Sequence, residues 1–204
     1  MVNLVCIVEG DGEVEALPVL LRRISHEYQR FDVVIERPLR SPRDRFLNRP
    51  EEMTRMLALA ARRAGQDGCI LVLLDADDDC IAEMVAQYQS EVVRLAGATA
   101  CGLVFAKSEF ESWFVAGVES LCGFRRIPEG LLAPVNPEDI RDAKGWLRKN
   151  MEGQGRYSVT VDQPAFAATF DWRLARRRSE SLDKLCRELA RLLGIDELAT
   201  MNAG

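Results

Sequence analysis

The chain of 204 residues has a single histidine, His26, and no C-x-x-C pair among its six cysteines. Zinc-finger and thioredoxin-type chemistry therefore have no ligands to work with. His26 lies in His26-Glu27-Tyr28-Gln29-Arg30 and lacks the second histidine of a zinc-protease helix, so it is expected on a helix surface. No apolar run approaches the roughly 18 residues that cross a bilayer. Met1-Val2-Asn3 enters a strand pattern directly, without the basic and apolar regions of a signal peptide, which predicts a cytoplasmic location with no membrane partner. Neither G-x-x-x-x-G-K-[ST] nor G-x-S-x-G occurs, which excludes a P-loop and a nucleophile elbow. The formal net charge of −5 is not that of a general nucleic-acid binder, so any polyanion surface must be local.

What the chain does contain is a series of apolar runs that end in acid. Val5-Cys6-Ile7-Val8 is followed by Glu9-Gly10, and Ile70-Leu71-Val72-Leu73-Leu74 by Asp75-Ala76-Asp77-Asp78-Asp79. Cys6, Cys69 and Cys101 fall within such runs and are expected to act as small buried hydrophobes. Strands are expected at 4–8, 33–35, 69–74 and 98–105. Helices are expected at 13–29, 51–64, 81–95, 108–115, 138–151 and 179–193, each with apolar residues at helical spacing. The segments 41–50, 123–137 and 153–164 are rich in Pro, Gly or Arg and are expected to be irregular. Strands alternating with helices predict an α/β fold, a mostly parallel central sheet with flanking helices. Residues 1–115 would form the core and residues 116–204 a C-terminal helical extension packed on it.

Ligand sites in open parallel sheets form beyond the carboxyl ends of the strands. That places Glu9, Asp75 and Asp77 at such an edge, where a carboxylate is costly unless solvated, paired or bound to a cation. Asp75 and Asp77 alternate, so an extended backbone would aim both the same way. Hard cations such as Mg²⁺ take oxygen ligands, which makes this cluster a candidate metal site. A calcium loop starting at Asp75 fails, because Cys80 stands where Gly is needed and Ala86 where Glu is needed. Asp79 suits the N-cap of the following helix. Glu13 opens the first helix, where acid is common for dipole reasons. Ser108-Glu109-Phe110-Glu111 reads as a capping box, with Ser108 as the cap and Glu111 reaching back. Lys107 and Lys144 are candidate catalytic cations for charge on a phosphate. Arg40, Arg43 and Arg45 lie in an Arg-rich stretch with Arg37 and Arg49 and are candidate phosphate contacts; Arg173, Arg176, Arg177 and Arg178 form a second basic stretch.

Glu9-Gly10 with a later Asp75-x-Asp77 resembles the Toprim domain of topoisomerases, primases and several nucleases. The fuller strings Val8-Glu9-Gly10-Asp11-Gly12-Glu13 and Lys107-Ser108-Glu109-Phe110-Glu111-Ser112-Trp113 are most similar to the overcoming-lysogenization-defect (OLD) nuclease branch. Lys144-Gly145-Trp146-Leu147, the Tyr157–Gln163 stretch and Ser179-x-Ser181-Leu182 resemble a bacterial Toprim-like family of unknown function. The resemblance implies Mg²⁺ or Mn²⁺ as cofactor. Glu9, Asp75 and Asp77 would be ligands, joined by Glu13 with Glu109 or Glu111, and Glu9 could instead act as general acid or base. It implies a nuclease of DNA or RNA, in nucleic-acid processing or phage defence, with a possible homodimer. OLD nucleases usually carry an ATPase domain, which this sequence lacks, so a partner ATPase is a further expectation. The alternatives are a non-catalytic regulatory or assembly module and a small-molecule phosphotransferase.

Overall fold

The structure is a computed structural model and describes residues 1–153 and 157–196. The apolar runs at 2–8, 69–75 and 100–106 each bury residues on both sides, as strands covered on both faces must. In chain order the elements are β1 (Val2–Val8), α1 (Asp11–Glu27), β2 (Val33–Ile35), β3 (Leu39–Arg40), α2 (Arg43–Asn48), α3 (Pro50–Ala64), β4 (Cys69–Asp75), α4 (Ile81–Ala96) and β5 (Ala100–Ala106). After these come α5 (Ser112–Ala116), α6 (Ala143–Asn150), α7 (Asp162–Thr169), α8 (Trp172–Arg176) and α9 (Glu180–Leu192). Short 3₁₀ turns span Val118–Leu121 and Pro137–Asp139.

The five strands form one parallel sheet, in the order β2–β1–β4–β5. β3 takes up the upper half of β1's outer edge, pairing Ile7 with Leu39. Because all pairings are parallel, Val8, Asp75 and Ala106 reach the same edge of the sheet.

Successive side chains point to opposite faces, so the sheet divides the interior in two. Leu4, Cys6, Val8, Leu71, Leu73 and Val104 face α1, α7, α9 and the Phe110–Val118 segment. Val5, Ile7, Ile70, Val72, Leu103 and Phe105 face α2, α3 and α4. The chain beyond Ala106 belongs to the first of these cores. Its Phe114 stacks edge-on with Phe166 and Phe170, and Trp113 donates to Ser181 Oγ at 2.8 Å.

Several segments differ from their sequence patterns. Residues 41–50, expected to be irregular, contain α2, because Phe46 is driven fully into the core. Ser108 does not cap a helix. It adopts φ 59° and forms an isolated antiparallel bridge with Asp77, and the helix starts later, at Ser112. Residues 138–151 break at 140–142, where the Asp142 side chain accepts from the Gly145 amide and starts α6 afresh. α7 begins at Asp162, inside the segment expected to be a loop, of which Gln154, Gly155 and Arg156 lie outside the described residues. Among the described residues no helix is long and apolar enough to cross a membrane.

Candidate functional site

Glu9 follows β1 and Asp75 ends β4, so parallel pairing alone brings them to one edge. Glu13 sits on the first turn of α1, its side chain turned back to accept from the Gly10 amide at 2.6 Å. Glu109 and Glu111 come from the turn after β5.

The carboxylates feel one another. Burial raises the Glu9 carboxyl above its ordinary range, helped by Asp77 and Glu13 and opposed by Arg43. Burial raises Asp75 well above its usual value, with Glu13, Glu111 and Glu9 adding to the rise and Lys144 opposing it. Burial likewise lifts Glu111 to about 7 against the pull of Lys144. Five acids from four segments, Glu9, Glu13, Asp75, Asp77 and Glu111, thus gather at one edge, and burial and their neighbours raise three of them, Glu9, Asp75 and Glu111.

Two cations sit among them. The Lys144 ammonium lies 2.9 Å from Glu109 Oε1, 3.2 Å from Glu111 Oε2 and 4.0 Å from Asp75 Oδ2. Burial works to lower its pKa, but Glu111, Asp75 and Glu109 outweigh burial and hold it above the usual lysine range. The Lys144 amide also donates to Glu109 Oε2 at 3.0 Å, so Glu109 anchors the start of α6 and the ammonium together. Glu111 Oε2 accepts no hydrogen bond of good geometry and has the ammonium as its neighbour. The other Glu111 oxygen accepts from the Tyr157 hydroxyl at 3.1 Å.

The second cation is Arg43, which donates to Asp77 at 2.7 Å and also to Asp79. Only 13% of its side chain is exposed. Asp79 therefore does not cap α4, whose cap position is held by Cys80. Asp75 and Asp77, expected to aim alike, have different partners. Asp75 Oδ1 accepts from the Phe110 amide at 2.9 Å, while Asp77, at φ 50°, turns to Arg43. Arg40 pairs with Asp11 at 3.2 Å on the surface, and Arg45 is exposed on α2. Lys107 is half-buried after β5 and makes no ion pair with any described residue; it lines a groove beside β5.

Tyr157 and Gln163 bound the stretch around α7 that carries part of the resemblance, but nothing in the sequence gave either a role at the site. The Gln163 amide has two orientations. One donates to Glu13 Oε1 at 3.3 Å, the other to the Val159 and Gly12 carbonyls at 3.2 and 3.3 Å. The second satisfies more groups and is the better assignment. A lone Tyr before a helix or a lone Gln on its first turn carries no periodic signal, and only the fold brings these to the cluster.

The donor set suits a hard divalent cation, being carboxylate oxygen throughout. Glu9 Oε2 is buried and accepts no hydrogen bond from the described residues. Seven carboxylates, the five above with Glu109 and Asp79, face the two cations Lys144 and Arg43 among the described residues. Among the described residues no three Asp, Glu, His or Cys side chains are arranged as a closed ligand set. As the side chains stand, the Lys144 ammonium occupies the space between Glu109, Glu111 and Asp75.

The model of the family described as a domain of unknown function, DUF4276, matches residues 8–190. The chain belongs to that family. The match runs from the last residue of β1 into α9 and so takes in every carboxylate of the cluster in this DUF4276 chain. No curated protein and no solved structure matches it.

Proposed function

We propose that this protein is a Toprim-like, Mg²⁺- or Mn²⁺-dependent phosphodiesterase acting on nucleic acid. The observation that carries this is the meeting of Glu9, Glu13, Asp75, Asp77 and Glu111 at the carboxyl edge of a parallel sheet, with Glu9, Asp75 and Glu111 all raised by burial and by one another. Glu9, Asp75 and Asp77 would hold the cation, with Glu13 beside them. A cation bound there supplies Lewis-acid polarisation of a phosphoryl oxygen and a more acidic water.

The protein's own side chains have separate tasks. Lys144, kept cationic by three carboxylates, stabilises charge that develops on the phosphate oxygens. Glu111, lifted to about 7, can accept the proton released when water attacks phosphorus, and the leaving oxygen takes a proton from solvent water as its bond to phosphorus breaks. Tyr157 fixes the orientation of Glu111 through its hydroxyl. Glu109 positions Lys144 from α6.

The test is a cleavage assay on single- and double-stranded DNA and RNA with Mg²⁺, Mn²⁺ or EDTA. At least one substrate should be cleaved with a divalent cation and spared in EDTA. Asp75→Asn should lose about 100-fold or more, as expected when a group that stabilises the transition state is removed. Failure to cleave any of the four substrates would sink the proposal.

A further inference from the structure

A groove of about 940 Å³ runs along the outer edge of β5, the last strand of the sheet, between α4 and α9. Its accessible apolar surface comes from Ile81, Val85 and Val135, beside the buried Leu103 and Phe105 of β5. Lys107 stands at the end of β5, where the groove meets the carboxylate edge, and Arg178, Lys184 and Arg187 line the far side. Around the first turn of α9 the groove continues into a shelf that adds Arg176 and Arg177.

Charge decides what fits here. Groove and shelf together are lined by six cations, Lys107, Arg176, Arg177, Arg178, Lys184 and Arg187, and four carboxylates, Glu138, Asp139, Glu180 and Asp183; Arg178 is also paired with Glu119 and Lys184 with Glu188, which leaves Lys107 and Arg177 as the cations with no ion pair among the described residues. Glu138 is already committed. Its carboxylate accepts from the Glu180 amide at 2.9 Å and the Ser179 hydroxyl at 2.7 Å, filling the α9 N-terminus. Asp183 is shared between Arg176 and Arg187. The guanidinium of Arg177 has no ion-pair partner among the described residues and is exposed. The loop arginines differ: Arg43 is tied to Asp77 and Asp79 and is mostly covered.

We propose that the β5 groove and the Arg176–Arg178 shelf bind a single strand of nucleic acid and lead it to the carboxylate edge. Proteins that hold single strands combine a basic track for the backbone with side chains that receive the base faces, most often aromatic; here the aliphatic Ile81, Val85 and Val135 offer that contact. The accessible apolar patch of Ile81, Val85 and Val135 lies beside β5 in the trough between the flanking helices, where splayed bases of one strand reach and stacked, paired bases of a duplex do not. The proposal names the substrate of the phosphodiesterase site and so rests on the proposed function.

The test compares Arg177→Ala/Arg187→Ala with the parent, using a labelled single-stranded oligonucleotide, an equal duplex, and bis(p-nitrophenyl) phosphate. Both side chains are exposed and neither is in the carboxylate cluster, so the fold and hydrolysis of the small diester should be unchanged. Single-strand affinity should fall about tenfold, and its log–log salt slope should shrink by about 1.4, since each phosphate contact on a single strand contributes about 0.7. Arg62→Ala/Arg63→Ala, on the exposed end of α3 that leads to the opposite edge of the sheet, removes equal charge and should leave both within twofold. Unchanged affinity and slope in the first variant would overturn the proposal, as would tighter binding of duplex than of single strand by the parent. A parent that binds the strand but does not hydrolyse the small diester would count against the catalytic reading of the carboxylates and not against the groove.

Discussion

Glu111 shows what the cluster costs the folded chain. It is fully buried, with Tyr157 on one oxygen and the Lys144 ammonium by the other, and its carboxyl is still pushed up to about 7. Below the ordinary glutamate value of 4.5 both folded and unfolded states hold the proton, so the shift has no effect on stability. Between that value and about 7 the unfolded chain is ionised while the folded one keeps its proton, so stability falls as pH rises. Above that window the penalty is constant, at about 3 kcal/mol for about 2.5 pH units. Chemical denaturation at a series of pH values should show this fall in the metal-free parent. In Glu111→Gln the slope through the window should flatten; an unaltered slope would mean that Glu111 is not the group responsible. Tyr157→Phe removes a donor from the ionised carboxylate. It should cost about 1 kcal/mol and move the acid limb of the activity profile to higher pH. A loss of stability with no shift in the profile would make Tyr157 structural only.

At the scale of elements, the strands were legible because continuous apolar runs have few other ways to be buried. β1, β4 and β5 lie within about two residues of their sequence limits, and α3 starts at Pro50 as its fixed φ favours. The approach of Glu9 to Asp75 follows from parallel order. What patterning missed depends on distant partners. Ser108 has the sequence of a helix cap, yet its carbonyl accepts from the Asp77 amide at 2.9 Å, which forms only once β4 and β5 are paired. Arg43 looks like a free loop arginine until Phe46 seats α2 on the sheet and swings the guanidinium onto Asp77. Phe46→Ala should therefore cost about 3–5 kcal/mol in urea unfolding, as for other buried aromatics. A loss below about 1 kcal/mol would mean that α2 is not held by its core contact. Tyr157 and Gln163 reach the cluster through packing of α7 against α1, which no local pattern encodes.

For the molecule as a whole, one sheet edge collects acid while the β5 side collects base, and the net charge of −5 conceals the division. The two faces of the sheet are filled by separate cores, so the edge is held rigidly from both sides. A rigid edge keeps like charges together at a cost, and that cost is what a divalent cation would relieve. The claim can be separated from a merely structural role at Asp75. Asparagine retains the oxygen that accepts from the Phe110 amide but cannot ionise. The decisive measurement is thermal unfolding of the parent and Asp75→Asn at pH 8, without and with millimolar Mn²⁺. A ligand that binds only the folded state raises stability by mass action. The parent should melt higher in Mn²⁺, while Asp75→Asn should be at least as stable as the parent without metal and show no Mn²⁺ shift. A parent indifferent to Mn²⁺, or an Asp75→Asn variant that shifts as the parent does, would contradict a metal centre built on these carboxylates.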